Sequence, residues 1–469
     1  MEYSVESVVV NKTDSFQVKL LSKQDLELEG IENFVSFKQK MNIMAVSESF
    51  GKLFVACGDF IRVAELAVNY CFKNQFRIYI PQNSEVHSTV NNLKIEKVNQ
   101  EEMLVVVTMD SRVIMYWLYD LERPPVVFSN FDSNFYDNST WSVSAKGGVL
   151  AVGSNSHTIS VWDLETQDFK RLNVHSHNVP CIELSPSGRF IASTSIDSTV
   201  CISDHTNKLK VCKPCAEWGW AVKWVPKNSV SEFKSLPQTN INRLNGRYYS
   251  SKYPTTYVNF IRNMPGAFNI GNAGEYFNLL RRRLEGRPDR ENDFQEQTSD
   301  SELARETFTD PEVASHFILQ ASKFSLHLID PCIDPQQPHN NMHVLATFVP
   351  QTEIIAQRFT RLSLLEYVPE FGTVILGNQG GRELNILRIA RKKRPETKQE
   401  WKEFPSLYYE YSFHTEAVIM LEGDLLGMHL SKDLGDQDKV RVYLLTELMI
   451  LYILEIAKSK VPGINDINI

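Results

Sequence analysis

The sequence lacks most of what would assign it to a special class. No stretch of 18 apolar residues occurs, and the N-terminal MEYSVESVVVNKTDSF lacks a basic-then-apolar plan. Neither a membrane-spanning helix nor a signal peptide is therefore expected. Positive charge is not in excess. The net charge of −8 removes any bulk attraction to nucleic acid or anionic lipid. Glycine and proline sit at ordinary levels, which excludes collagen-like and mucin-like chains. Cysteine is odd in number, seven in all. Cys57, Cys181 and Cys201 lie in apolar strand-like runs, so the expectation is reduced core thiols in a soluble intracellular protein.

Catalytic motifs are missing too. The chain has no GxSxG, GxxxxGK[ST], HExxH or GxGxxG. Cys212-Lys-Pro-Cys215 has no second ligand pair at zinc spacing and is expected to be a simple turn. No catalytic, cofactor-binding or metal-binding residue is assigned, and no small-molecule substrate is expected. The chain reads as a non-enzyme.

What the sequence does contain is a period. AVGSNSHTISVWD from Ala151 and ASTSIDSTVCISD from Ala192 share length, apolar rhythm and a final Asp. Asp163 and Asp204 are 41 residues apart, the spacing of a WD-type propeller repeat. Ile159/Val161 and Val200/Ile202 alternate along a strand and should pack on a neighbouring sheet. Asp197 sits in the turn before that strand, where an Asp side chain can bond nearby backbone. His177 precedes the next strand and takes the place of the repeat's structural histidine.

Further copies follow at 43–66 (Asp59 in the turn), 93–118 (Asp110 in the turn), 361–389 and 425–456. Another is split, with WGWAVKWVP (218–226) as its opening strand and 315–330 as its second and third. The expectation is an all-β, seven-bladed WD40-type β-propeller spanning 1–469, with a long, partly helical insertion at 227–311 in blade five. The N-terminal VESVVVN (4–10) is expected to close the last blade and remove its exposed edge.

Large aromatics at strand starts, Trp141, Trp218 and Trp220, are candidate partner contacts, because Trp anchors commonly dominate interfaces. Arg391-Lys392-Lys393-Arg394 reads as a loop and a candidate nuclear import signal.

The stretch DNSTWSVSAKGGVLAVGSNSHTISVWDL (137–164) resembles a fungal WD-repeat family named for constitutive ribonucleotide-reductase transcription. Trp141 and Ser154-Asn155-Ser156-His157 carry the match, with Trp162 and Asp163 closing the strand. WGWAVKW (218–224), YVPEFGTVILGNQGG (367–381), LLGMHLS (425–431) and YLLTELMILYILEI (443–456) extend it. The resemblance implies a nuclear propeller that restrains ribonucleotide reductase gene transcription. It also implies a receptor role in a cullin-type ubiquitin ligase acting in DNA replication and genome maintenance. Partners would be other proteins, including a ligase adaptor, with no direct nucleic-acid binding and no membrane. One departure stands out: where adaptor-docking receptors carry Arg two residues after Trp-Asp, this chain has Glu165 and, in the next repeat, Thr206. A general assembly scaffold in trafficking or at a nuclear pore is the alternative reading.

Overall fold

The structure is a computed structural model. It describes residues 8–9, 16–26, 40–67, 70, 72–82, 88–129, 139–206, 209–215, 217–233, 310–331, 342–350, 360–395, 405–432, 436 and 438–458. All of them belong to one compact unit formed by Met1–Leu236 and Ala304–Ile469. Most of the insertion, including its expected helix, lies outside the described residues.

The described chain is almost entirely antiparallel strands. Five four-stranded sheets are separate, and a ten-stranded sheet holds two further four-stranded meanders. A single parallel pair, Gln379 with Leu425, joins those two. Numbered in chain order by their first strands, the seven meanders start at Met44–Ser47, Val90–Val98, Thr140–Lys146, Cys181–Leu184, Gly219–Pro226, Arg361–Val368 and Leu425–Lys432. Each first strand packs beside the next in this order, and the seventh packs beside the first.

Meander three shows how the sequence builds the unit. Thr140–Lys146 turns back into Val149–Ser154 through Gly147 and Gly148, whose φ values are +56° and +76°. Two consecutive positive φ values suit the right-handed twist of a tight hairpin, and glycine adopts them without a Cβ penalty. The third strand, Thr158–Asp163, buries Ile159 and Val161 against Ile182, Leu184 and Ile191 of meander four. Val200 and Ile202 of meander four do the same against Val222, Trp224 and Ile318 of meander five. Apolar faces of successive sheets therefore stack radially, each covering the next.

The split repeat is continuous in space. Pro226 pairs with His316, so the second strand, His316–Ser322, resumes beside the first. Within 227–311, Ser231–Glu232 pairs in parallel with Ala390–Arg391 of meander six, and Pro311–Ala314 forms one helical turn capped by Asp310.

Three expectations are corrected here. The outer strand of the last meander is Phe16–Asp25, which pairs with Ile450–Lys458, not 4–10. Of 4–10, Val8–Val9 pairs with Ile419 and Val418, at the edge of meander six. Arg391–Lys393 is not a loop: it ends the strand Glu383–Lys393, where Arg391 faces Tyr411 and Lys393 faces Tyr409. Cys201 is not a reduced thiol. It sits opposite Cys212 on adjacent strands and forms a disulfide with it, so Cys212 is a strand residue and not part of a turn. Cys57, Cys181 and Cys215 are free.

Candidate protein-interaction site

Antiparallel order sorts the sequence-predicted residues to two ends of the first strands. Asp59, Asp110 and Asp197 lie in turns between second and third strands, at the end where the first strands begin. Trp141, Trp218 and Trp220 lie at this same end. Asp163 and Asp204 end third strands, at the opposite end.

In meander four a buried network fixes the turn. His175, its side chain fully buried, contacts Ser193 Oγ through Nε2 at 2.8 Å and Asp197 Oδ2 through Nδ1 at 3.2 Å. Asp197 also accepts from the backbone N–H groups of Ser176 (2.8 Å) and Thr199 (2.9 Å) and from the Thr199 hydroxyl (2.6 Å). Burial alone would raise the Asp197 carboxyl; the bonds from His175, Thr199 and Ser176 outweigh it and hold the group well below the usual carboxylate range. The structural histidine is thus His175, not His177. His177 instead accepts from the Asn178 N–H at 2.8 Å and lies 5.5 Å from the His157 ring.

Meander two makes the same turn without histidine. Asp110 accepts from Ser88 and Thr108 hydroxyls, both at 2.5 Å, and pairs with Arg112 at 2.7 Å. Asp59 contributes through its backbone, its carbonyl accepting from the Ile80 N–H at 3.1 Å.

Trp162 is core, packed between Phe128 and Phe169. Beside it, Asp163 accepts from the Glu165 and Thr166 N–H groups, both at 2.9 Å. Asp204 accepts from Thr206 and is held by Arg189 at 2.7 Å. The arginine next to Asp204 therefore comes from the preceding strand turn, not from two positions downstream.

Two of the three tryptophans meet. The Trp141 and Trp220 rings stack at 6.2 Å although meander four lies between their strands in sequence, so side chains of non-consecutive meanders meet at this end. Arg361 of meander six lies 4.5 Å over the Trp220 ring, donates to Gln379 Oε1 at 3.0 Å and reaches the Lys40 carbonyl at 2.6 Å. Asn92 donates to the Trp141 carbonyl at 3.0 Å. Trp218 is half-buried.

At the opposite end the first strands carry a belt of ion pairs that sequence reading missed. Lys94 pairs with Glu96 (2.6 Å), Lys146 with Glu183 (3.2 Å), and Lys223 with Glu366 (2.9 Å) and Glu183 (3.7 Å). Burial would raise the Glu183 carboxyl, but Lys223, Lys146 and Lys94 together hold it low. Lys146, Glu183, Lys223 and Glu366 line a cleft of about 180 Å³ with Trp224 and His316. A signal was present: CIEL, AVKW and LLEY each place one charge between apolar residues at the same point of a first strand. Among the described residues, no group of three His, Cys, Asp or Glu could hold a metal ion, and no helix is long and apolar enough to cross a membrane.

Comparison with known proteins agrees with this architecture. The family described as WD domain, G-beta repeat matches residues 167–204. A WD40 repeat-containing protein of Dictyostelium discoideum is 29% identical over 44% of this chain and 30% of its own length. An uncharacterized WD repeat-containing protein of Schizosaccharomyces pombe is 24% identical over 42% of this chain and 46% of its own. The matched regions thus span less than half of these curated relatives. Among solved structures, a chain of a mitotic checkpoint complex superposes with a TM-score of 0.54 at 12% identity, covering 97% of both chains. The WD40 domain of Toxoplasma gondii coronin gives 0.53 at 11%, covering 98% of this chain and 90% of that one. The chain thus carries a WD-type repeat match over 167–204 and has an all-β, propeller-like fold.

Proposed function

We propose that the seven meanders form a closed seven-bladed propeller working as a non-enzymatic scaffold, with partner proteins bound at the axial end around Trp141 and Trp220. The carrying observation is the return of packing from the seventh first strand to the first, which sets side chains of distant repeats face to face. Such a surface is rigid and drawn from several repeats, as recognition without chemistry requires.

In its sharper form, the proposal makes the protein a nuclear regulator of ribonucleotide reductase gene transcription and a substrate receptor of a cullin-type ubiquitin ligase. The resemblance over 137–164, 218–224, 367–381, 425–431 and 443–456 supports this reading. Adaptor docking would then use a surface other than the usual Trp-Asp-x-Arg corner, because Glu165 and Thr206 occupy those positions and Arg189 already engages Asp204. Nuclear entry would draw on the basic run, of which Lys393 and Arg394 are exposed.

Affinity purification of the full chain followed by mass spectrometry tests both levels. Recovery of cullin and adaptor subunits is expected. Coat or nuclear-pore subunits in their place would overturn the ligase reading while leaving the scaffold reading intact. Replacing Lys392, Lys393 and Arg394 by Ala should move a tagged copy to the cytoplasm; unchanged residence would remove the import role.

A further inference from the structure

The Cys201–Cys212 disulfide ties the third strand of meander four, Thr199–Asp204, to its outer strand, Leu209–Pro214. Disulfides are not a general staple of this chain, because Cys57, Cys181 and Cys215 are free thiols. Cores as extensive as these do not depend on a cross-link to fold. The two sulfurs differ in access. Cys201 is fully buried, whereas Cys212 is half-buried on the strand that ends its sheet. Thiol–disulfide exchange depends on which sulfur a thiolate can reach, and Cys212 is the one open to approach. The attacker does not come from the neighbouring thiol. Cys215 is three residues from Cys212 and leaves the opposite face of the chain: Cys212 packs on the core shared with meander three, Cys215 on the core shared with meander five. Burial also pushes the Cys215 thiol up to about 12 and Cys57 up to about 11, which leaves little thiolate at neutral pH.

We propose that the Cys201–Cys212 disulfide is an exchange site for a low-molecular-weight thiol, that Cys212 is the sulfur modified, and that opening the bond loosens the outer strand. The incoming thiolate attacks Cys212 Sγ and the bond to Cys201 breaks. Cys201 leaves with the electron pair and takes up the proton that the incoming thiol gave up. The product is a mixed disulfide on Cys212 and a free thiol at Cys201. A second thiol then attacks the mixed disulfide, departs as the oxidised dimer of the reagent and leaves Cys212 reduced, so two thiols supply the two electrons. The Cys201 sulfur lies 3.9 Å from His175 Nδ1 and 3.8 Å from Thr199 Oγ1. Both groups hold the Asp197 turn. Opening the bond therefore removes the cross-link on the outer strand and sets a new S–H group against that network.

The test uses the full chain purified without reductant. It is incubated with reduced glutathione, quenched in acid, alkylated in denaturant and read by tandem mass spectrometry. Reduced glutathione forms an adduct by opening a disulfide, so the free thiols stay silent. The expected product carries glutathione on Cys212 and an alkylated Cys201. Amide hydrogen exchange across 209–214 should then be at least about tenfold faster than in the oxidised chain. Cys201→Ser, which leaves no bond to open, should take no adduct, and Cys181→Ser should react like the unsubstituted chain. Alkylation of both Cys201 and Cys212 before glutathione is added would overturn the proposal. An adduct on Cys201 in place of Cys212, a disulfide that opens only in denaturant, or unchanged exchange across 209–214 after opening would each overturn it as well.

Discussion

Replacing His175 and His177 separately by Ala tests the assignment of the structural histidine. His175→Ala removes the contact with Ser193, a hydrogen bond worth about 1 kcal/mol net, and the bond to the Asp197 carboxylate, a charged partner worth about 1.5–3 kcal/mol. Together these predict a loss of about 2.5–4 kcal/mol, before any cost of the void left by a fully buried ring. His177→Ala removes one local contact to its neighbour's N–H and a ring contact from a half-buried site, so less than about 1 kcal/mol is expected. Urea unfolding followed by tryptophan fluorescence measures both. The pH dependence adds an independent check. Asp197 has a folded-state pKa below its unfolded value, so its contribution is complete above about pH 4 and is lost as pH falls further, through the folded value. Asp197→Asn should therefore be destabilised at pH 7 and should flatten the acid limb. Equal costs for the two histidines, or a His175→Ala cost under about 1 kcal/mol, would refute the reasoning.

Two other perturbations probe packing and closure. A Cβ at Gly219 would overlap Thr194 Oγ1 in the neighbouring meander, so Gly219→Ala should destabilise by about 1–3 kcal/mol or more, with partial rescue by Thr194→Gly in a double-mutant cycle. Deleting residues 1–25 should expose the edge of Ile450–Lys458, lower the thermal midpoint and promote aggregation, whereas deleting only 1–10 should have a small effect; equal effects would contradict the observed closing strand.

The repeats were legible because their signals are local. A strand, a tight turn, an alternating strand and a closing Asp all fall within about 25 residues, and each depends on backbone geometry that its own side chains favour. The split repeat was legible for the same reason, since VKW and HFILQA keep their rhythm on either side of the interruption. Partner choice at long range was not. VESVVVN has the stronger β-branched content, but the ten residues Phe16–Asp25 run the whole length of the nine-residue Ile450–Lys458, and two residues at 8–9 do not. His175 and His177 are likewise equivalent in sequence; only the reach to Asp197 across the turn separates them.

Charged side chains were misjudged in a consistent direction. Arg391–Lys393 looked like a solvated loop because the run is basic, yet the strand continues through Ile389 and Ala390, and Arg391 lies 4.7 Å over the Tyr409 ring with Glu232 at 3.4 Å. A long side chain can leave its charge near a partner while its stem stays in the sheet. The same physics governs the first strands. A first strand has sheets on both flanks, so a Lys or Glu placed there is removed from bulk water and needs an ion-pair partner, in its own strand or in another meander. At one end those partners exist, in the alternation of Lys94, Glu96, Lys146, Glu183, Lys223 and Glu366. Lys40, just before the first strand of meander one, donates instead to the Thr89 hydroxyl. The Lys146–Glu183 and Lys223–Glu366 pairs thus secure neighbouring repeats to one another.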